Sequence, residues 1–288
     1  MAHPAPVPVP AASAPLTNVN FKHVAALLMR EAAITLEAGK EYLVETRLAP
    51  LAVKHQLASV NALIDRLRAS EPALTDLHLE VVDALTTNET LFFRDVHPWD
   101  ALRKHVIPKL REARASTRTI TVWSAACSTG QEPYSLAMLL AEHFPDLAGW
   151  SIRIIGTDIS PTVLKRAQGG VFQQLEVNRG LPALHLVKHF RQEGRNWILS
   201  EAIRRRVEFR ALNLARHWTG LPRCDLVFMR NVMIYFDLET RRAILRQLRH
   251  VLAPDGYLLL GTAETAINLD NAFSAVTFDR ATFFQALP

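Results

Sequence analysis

A chain of 288 residues can bury a full core and, at the usual domain size, holds about two domains. Its composition, 49% hydrophobic and 21% charged, is ordinary for a globular protein, and no apolar run approaches the ~20 residues that cross a bilayer, which excludes direct membrane insertion. A formal charge of +5 and a pI near 9.5 favour acidic partners, but the basic runs at 103–118 and 204–216 match no nucleic-acid recognition motif, so no nucleic-acid partner is expected.

Residues 1–16 are almost entirely Ala and Pro at their start, with neither a basic beginning nor an apolar helix core. They read as a disordered tail rather than a signal peptide, which points to a cytoplasmic location. Between residues 17 and 98 the spacing predicts a small helical domain, with apolar residues such as Val24, Leu27 and Leu28, then Leu57, Val60, Leu63, Ile64 and Leu67. Gly39 and Pro50 punctuate it, Ser59 or Asn61 is placed to cap a helix, and Pro72 is expected just inside the next one. Residues 86–94, TTNETLFFR, form a polar cluster followed by aromatics and an arginine. Either Asn88, Thr90 and Arg94 face a ligand while Leu91, Phe92 and Phe93 pack, or the segment is a capped helix start with Arg94 on the surface. A linker helix is predicted within 99–118, its basic face turned to solvent or a partner.

From 119 to the C-terminus strands and helices alternate, which implies a parallel sheet covered by helices on both sides. Strands are predicted at 120–124, 152–157, 207–211, 226–229 and 257–262, with helices starting near Glu132, Pro161, Asn231 and Leu238. Residues 170–206 break the alternation with a helical pattern at 184–190, a polar turn at 192–196 and a short strand at 197–199, and so form a small inserted subdomain. The last segment, 275–286, reads as a hairpin.

The stretch ITVWSAACSTGQEP, 120–133, runs a hydrophobic strand into a turn of small residues and then a helix, the order that seats a nucleotide-like cofactor. A dinucleotide fingerprint needs three glycines so that backbone amides can approach a pyrophosphate, and here Gly130 stands alone among Ser124, Ala125, Ala126 and Ser128. That favours an adenosine cofactor without phosphates, S-adenosylmethionine, over NAD or FAD. Asp158 ends the next strand, where a carboxylate accepts ribose hydroxyls. Asn213 follows a third strand end, and Asn231 and Tyr235 in RNVMIYFD follow a fourth. The two cysteines, Cys127 and Cys224, have neither metal nor redox spacing, and the eleven histidines read as scattered over the surface, so no metal is expected.

TTNETLFFR, VWSAACSTGQEPYSLA, GTDIS, FRALNL and RNVMIYFD occur in order, and from Phe21 onward the chain resembles the chemoreceptor glutamate methyltransferases of the CheR type. The resemblance implies an α/β fold: a Rossmann-like class I methyltransferase sheet with a C-terminal antiparallel hairpin, an inserted β-subdomain and an N-terminal all-helical domain. It implies a protein-glutamate O-methyltransferase, monomeric, that moves methyl from S-adenosylmethionine to glutamate carboxylates on the cytoplasmic helical region of chemotaxis receptors, leaving S-adenosylhomocysteine. The family's cofactor contacts fall on Asn88, Thr90, Arg94, Glu132, Asp158, Asn213, Leu214, Asn231 and Val232, and catalytic roles on Arg94 and Tyr235. Glu264 in GTAET also matches, and a structural role is expected for it. Members that dock a receptor's C-terminal pentapeptide carry a glycine-containing extension in a subdomain loop. The corresponding loop here, FRQEGRNW, is short, so independence from such a peptide is expected. Receptor contact through Arg47, Lys54, Arg66 and Arg68 stands beside a plain solvated face. The alternatives are a methyltransferase of the same fold on another substrate and an inactive cofactor-binding module.

Overall fold

A computed structural model describes residues 15–287, so the expected tail lies outside the described residues except for its last two. The chain divides into two compact units, residues 1–86 and 87–288.

The first unit is four helices: α1 (Asn18–Ala32), α2 (Glu41–Lys54), α3 (Val60–Ser70) and α4 (Asp76–Leu85). Each buries one stripe, with Val24, Leu27 and Leu28 of α1 and Leu63, Ile64 and Leu67 of α3 almost fully enclosed. Ser59 caps α3 as expected, its hydroxyl accepting from the Ala62 amide at 3.1 Å. Pro72 does not open a helix. It lies in the preceding turn, and α4 begins four residues later because Thr75 and His78 close a reciprocal cap there, the Thr75 amide donating to His78 Nδ1 at 3.1 Å. Of the four basic residues considered for a receptor, Arg47 donates to the Leu85 and Thr86 carbonyls at the end of α4, Lys54 pairs with Glu80, and Arg68 pairs with Asp65.

The second unit begins with α5 (Val96–Ala101) and α6 (Ile107–Ala113), joined through a π-helical turn at Leu102–Val106. Residues 87–98 and the helix after them belong here rather than to the helical domain or to a linker. Phe92 packs edge-on against Phe172 and Phe190, Trp99 stacks on Phe228, and Leu102, Val106, Ile107 and Leu110 join the same core. The basic face of this helix is largely paired, with Arg114 bridging Asp225 and Asp255 and Arg111 meeting Asp146.

There follow β1 (Thr119–Ala125), α7 (Gln131–His143), β2 (Ser151–Asp158) and α8 (Pro161–Gly169). The insert holds β3 (Val171–Gln173), α9 (Gln174–Asn178), α10 (Ala183–His189), β4 (Phe190–Glu193), β5 (Asn196–Leu199) and α11 (Glu201–Arg204). Then come β6 (Val207–Ala211), β7 (Cys224–Met229), α12 (Leu238–Val251), β8 (Leu252–Leu260), β9 (Phe273–Phe278) and β10 (Ala281–Ala286). Seven strands form one sheet in the order β6-β2-β1-β7-β8-β10-β9, parallel except for β10, which runs antiparallel to β8 and closes the expected hairpin with β9. The insert forms its own antiparallel sheet, β3-β5-β4.

Strand β7 is buried at every residue because it lies between β1 and β8, and each such apolar side chain contributes about 1.5–3 kcal/mol on burial. β8 starts at Leu252, five residues before the predicted strand, since Leu252 already pairs with Cys224 and a bulge absorbs the residues between. No α-helix starts at Asn231. Its left-handed backbone, φ 57°, leads only into a single 3-10 turn at Met233–Tyr235. Among the described residues no helix is long and apolar enough to cross a membrane.

Candidate active site

The carboxyl ends of β1, β2, β6 and β7 meet where the chain, having placed β2 and β6 on one side of β1, crosses to place β7 on the other. Ligands of open α/β sheets bind at such a reversal. The turn after β1 alternates into the left-handed region at Ala126, Ser128 and Gly130, with φ of 53°, 51° and 91°. Only the last is glycine, so the first two positions need support. The Cys127 amide donates to the Thr157 carbonyl at 2.9 Å, the Ser128 amide to Asp158 Oδ2 at 2.8 Å, and the Ser128 hydroxyl to the Asn88 carbonyl at 2.7 Å. Gly130 is needed for space as well as for φ, since a Cβ there would meet Tyr134, Ala167 and Phe209 at 3.0–3.2 Å. Gly156 on β2, which sequence reasoning passed over, leaves room for the Phe209 ring and Cys127 Sγ, which would stand 2.8 and 3.0 Å from a Cβ.

Asp158 is buried and its orientation is fixed, Oδ2 by Ser128 and Oδ1 by the Ser160 amide at 3.0 Å. Its carbonyl accepts from the Leu212 amide, which draws the segment carrying Asn213 and Leu214 to the same edge. Asn213 closes an Asx turn, Oδ1 accepting from the Ala215 amide at 2.9 Å, and Leu214 is buried.

Glu132, in the first turn of α7, accepts from Ser124 Oγ at 2.8 Å and from Arg230 Nη1 at 3.3 Å. Burial pushes its carboxyl above the usual carboxylate range against the pull of Arg230, Ser124 and Arg94. Arg230 itself went unassigned in the sequence, yet it is the hub. With its side chain 2% exposed, it donates through Nη2 to Asp95 at 2.6 Å and to the Arg94 carbonyl at 3.0 Å as well as reaching Glu132. The signal was legible: an arginine directly after a wholly apolar strand end is carried into the interior and must find carboxylates there.

Arg94 lies between two left-handed residues, Phe93 at φ 46° and Asp95 at φ 61°. Non-glycine residues hold that backbone only when their surroundings enforce it, and such strain gathers at functional sites. Here the Phe93 amide is tied to Ser135 Oγ at 3.0 Å, and the Arg94 carbonyl is shared by Arg230 and Trp99 Nε1. The Arg94 guanidinium has no hydrogen-bond or ion-pair partner among the described residues. It lines a cleft of about 400 Å³ whose wall also includes Phe93, Trp99, Leu139, His143 and His185, and none of Glu132, Asp158, Asn213 and Asn231.

On the far side of the site, Glu264 holds three backbone amides: Asn231 and Gly261 at 2.7 Å and Ile234 at 3.3 Å. Gly261 allows this approach, because a Cβ there would stand 2.7–2.8 Å from Glu264 and Asn231. The carboxylate thus shapes the loop that carries Asn231, Val232 and Tyr235, in keeping with the structural role expected for it. Two buried polar atoms of this site have no protein partner, the acceptor Asn231 Oδ1 and the donor Arg230 Nε. Such orphans are costly unless something pairs with them, and S-adenosylmethionine offers both kinds of partner, an acceptor carboxylate and donor ammonium, hydroxyl and amino groups. The residue types therefore fit that cofactor. Thr90 is half-buried beside Asn88, and Val232 and Tyr235 are half-buried beside Asn231.

Cys127 and Cys224 are both buried, and burial first of all raises their thiols well above the ordinary range, so neither is a reactive group at neutral pH. The histidines are not all scattered. His185 and His189, one turn apart on α10, meet Glu142 at the far end of α7, a cluster the sequence reading overlooked.

Two family matches cover nearly all the described chain: the CheR methyltransferase all-alpha domain over residues 20–86 and the CheR methyltransferase SAM-binding domain over residues 88–282. Chemotaxis protein methyltransferase 1 of Pseudomonas aeruginosa is 38% identical over 273 residues, covering 93% of this chain and 98% of that protein. Chemotaxis protein methyltransferase Cher2 of Pseudomonas putida is 37% identical with the same coverage, and the chemotaxis protein methyltransferase of Vibrio parahaemolyticus is 36% identical over 91% and 94% of the two chains. With a helical unit ahead of a sheet whose switch point gathers these residues, the chain belongs to the CheR methyltransferase family and is a methyltransferase that uses S-adenosylmethionine.

Proposed function

We propose that the protein methylates glutamate side chains in the cytoplasmic helical region of chemotaxis receptors, forming methyl esters. The observation that carries this reading is Arg94, a half-buried guanidinium without a protein partner on a segment held in strained backbone. A guanidinium fork suits a carboxylate, either the cofactor's own or that of the incoming glutamate. The names of the relatives, chemotaxis protein methyltransferases, support the same substrate class.

The chemistry asks little of the chain. A glutamate with a reference pKa of about 4.3 is already ionised at neutral pH, so its carboxylate is the nucleophile and no general base is required. S-adenosylmethionine, when bound, supplies a methyl group activated by its sulfonium. The chain's task is placement and exclusion of water. Asp158 and Asn213 hold the adenosine end, Asn231 and Val232 line the opposite wall, Glu132 faces the cationic end, and Arg94 orients a carboxylate. Tyr235, the last residue of the turn after β7, is the second residue assigned a role in the transfer.

The test is radiolabelled S-adenosylmethionine with chemoreceptor-containing membranes. Label on the receptor that alkali releases as methanol supports a methyl ester, whereas alkali-stable label or none refutes it. Arg94→Ala should lower turnover by about 10²–10³-fold, the size lost with one preorganised donor, at an unchanged melting temperature. Near-normal turnover in that variant would remove Arg94 from the site.

We also propose that the enzyme acts without a tethering receptor pentapeptide. The turn between β4 and β5 is only Gly194 and Arg195, too short for the extension that accompanies such docking. Micromolar binding of a receptor tail peptide in calorimetry would contradict this.

A further inference from the structure

The cluster of His185, His189 and Glu142 lies outside the methyl-transfer site. Glu142 is ten residues past Glu132 on α7, about 15 Å along the helix axis at 1.5 Å per residue. We infer that these three side chains form a divalent-metal site for a Zn2+-class ion, which fastens helix α10 of the inserted subdomain to the end of α7.

Two histidines at i and i+4 on one helix present their rings on the same face, and two imidazoles with one carboxylate make a donor set that zinc and its first-row neighbours take. The rings of His185 and His189 lie 5.8 Å apart at 20°, and His189 Nε2 is already 2.9 Å from Glu142 Oε1. One ligand atom from each of the three lies within 4.8 Å of the others. Two ligands of a tetrahedral zinc with bonds of about 2.0–2.1 Å stand about 3.3 Å apart, so a side-chain shift of about 1 to 1.5 Å closes the set.

The surroundings favour ligation over a plain hydrogen-bonded pair. His189 and Glu142 are little exposed, 8% and 14%, and His185 Nδ1 is buried with no partner. Burial lowers the pKa of both histidines, helped by their mutual repulsion at His185 and by Lys188 and Arg206 at His189, while Glu142 opposes it. One group competes. The Lys188 ammonium reaches Glu142 Oε2 at 2.8 Å and holds the carboxylate below its usual range, so an incoming ion must displace it. His185 also stacks on Phe93 at 4.9 Å, which gives the cluster a physical contact with the segment that carries Arg94.

The test uses untagged full-length protein, Co2+ titrated by visible absorption and Zn2+ by thermal melting and competition with an indicator dye. The expected result is one Co2+ per chain with the d–d bands of a low-symmetry site, and a melting temperature that Zn2+ raises. His185→Gln and His189→Gln should each weaken Zn2+ binding about tenfold or more, since even a disturbed outer-shell partner costs that much. Lys188→Ala should tighten it. Glu142→Gln gives the same loss as the histidine variants and serves if either of those fails to fold, with calorimetry of S-adenosylhomocysteine reporting the fold in every case. Equal Zn2+ affinity in the wild type and in a folded His185→Gln/His189→Gln double variant would overturn the site, as would a wild type whose melting temperature ignores Zn2+.

Discussion

Arg230→Met removes the hub of the site, and its cost follows from three contacts of unequal burial. The arm to Glu132 runs between side chains 2% and 12% exposed, so deleting the guanidinium leaves a carboxylate that is either charged without a counter-ion or forced to protonate, a loss of about 3–5 kcal/mol. The Asp95 arm reaches a side chain 36% exposed, where solvent screening limits the contribution to about 0.2–1 kcal/mol despite the 2.6 Å distance. The Arg94 carbonyl keeps Trp99 as a donor, so its loss adds little. Together these amount to about 3–6 kcal/mol, and at about 2–4 °C per kcal/mol for a domain near 200 residues the melting temperature should fall by about 6–24 °C. Glu132→Gln on the same background deletes the buried charge itself and should recover about half of the loss, whereas the strict sum of the two single changes would not. Urea and thermal melts of the wild type, both single variants and the double variant measure this cycle. A single Arg230→Met variant within 1 kcal/mol of wild type, or a double variant equal to the sum of the singles, would refute the reasoning.

Gly156→Ala places a methyl against the Phe209 ring at 2.8 Å and Cys127 Sγ at 3.0 Å; overpacking of this kind costs about 1–3 kcal/mol and, by moving the turn, should also weaken S-adenosylhomocysteine binding in calorimetry. A variant with wild-type affinity and stability would mean that the turn yields without consequence. Glu132 makes stability depend on pH in a set direction. Its folded pKa is raised above the ordinary 4.5, so the folded state binds the proton more tightly than the unfolded state. Its contribution is then most favourable below 4.5 and declines as pH rises through the raised value. Across that window the wild type should lose stability relative to Glu132→Gln, read from urea midpoints at successive pH values. A gain on the wild-type side would reverse the assignment.

Much of the fold was legible because the signals are local. The strand at Val207–Ala211 matches the prediction residue for residue, and the hairpin, the insert and the capped start of α3 follow from alternation, turn residues and Ser59. What was hidden depends on contacts distant in sequence. Phe92 and Trp99 look like residues of a junction until Phe172, Phe190 and Phe228 are known to cover them, which moves residues 87–98 into the second unit. The start of β8 is set by pairing to Cys224, not by its own pattern, which is broken by Pro254 and Asp255. In the candidate site, the sequence reading names motif residues at strand ends but not the residues that fix them. Arg230, Asp95, Ser128 and Glu142 act through partners from 30 to 136 positions away, as in the bonds of Ser128 to Asp158 and of Arg230 to Arg94. No window of sequence contains both ends of such a bond.

The poverty of glycine in the turn after β1 has an energetic counterpart. Ala126 and Ser128 adopt the left-handed backbone, which costs an L-residue roughly 1–2 kcal/mol where glycine bears nearly none. The charged hydrogen bond from the Ser128 amide to Asp158 contributes about 1.5–3 kcal/mol, and the Ser128 hydroxyl adds a second tie to the Asn88 carbonyl. These bonds offset the strain and at the same time lock three parts of the site together: the end of β2, the turn, and the polar segment before Arg94. A glycine-rich turn would adopt the same shape without them and would leave those parts independent. Asp158 therefore acts on the shape of the turn as well as in the ribose contact proposed for it. Any loss of cofactor affinity on its removal has two sources, which Asp158→Asn separates by keeping an acceptor for one amide while discarding the charge.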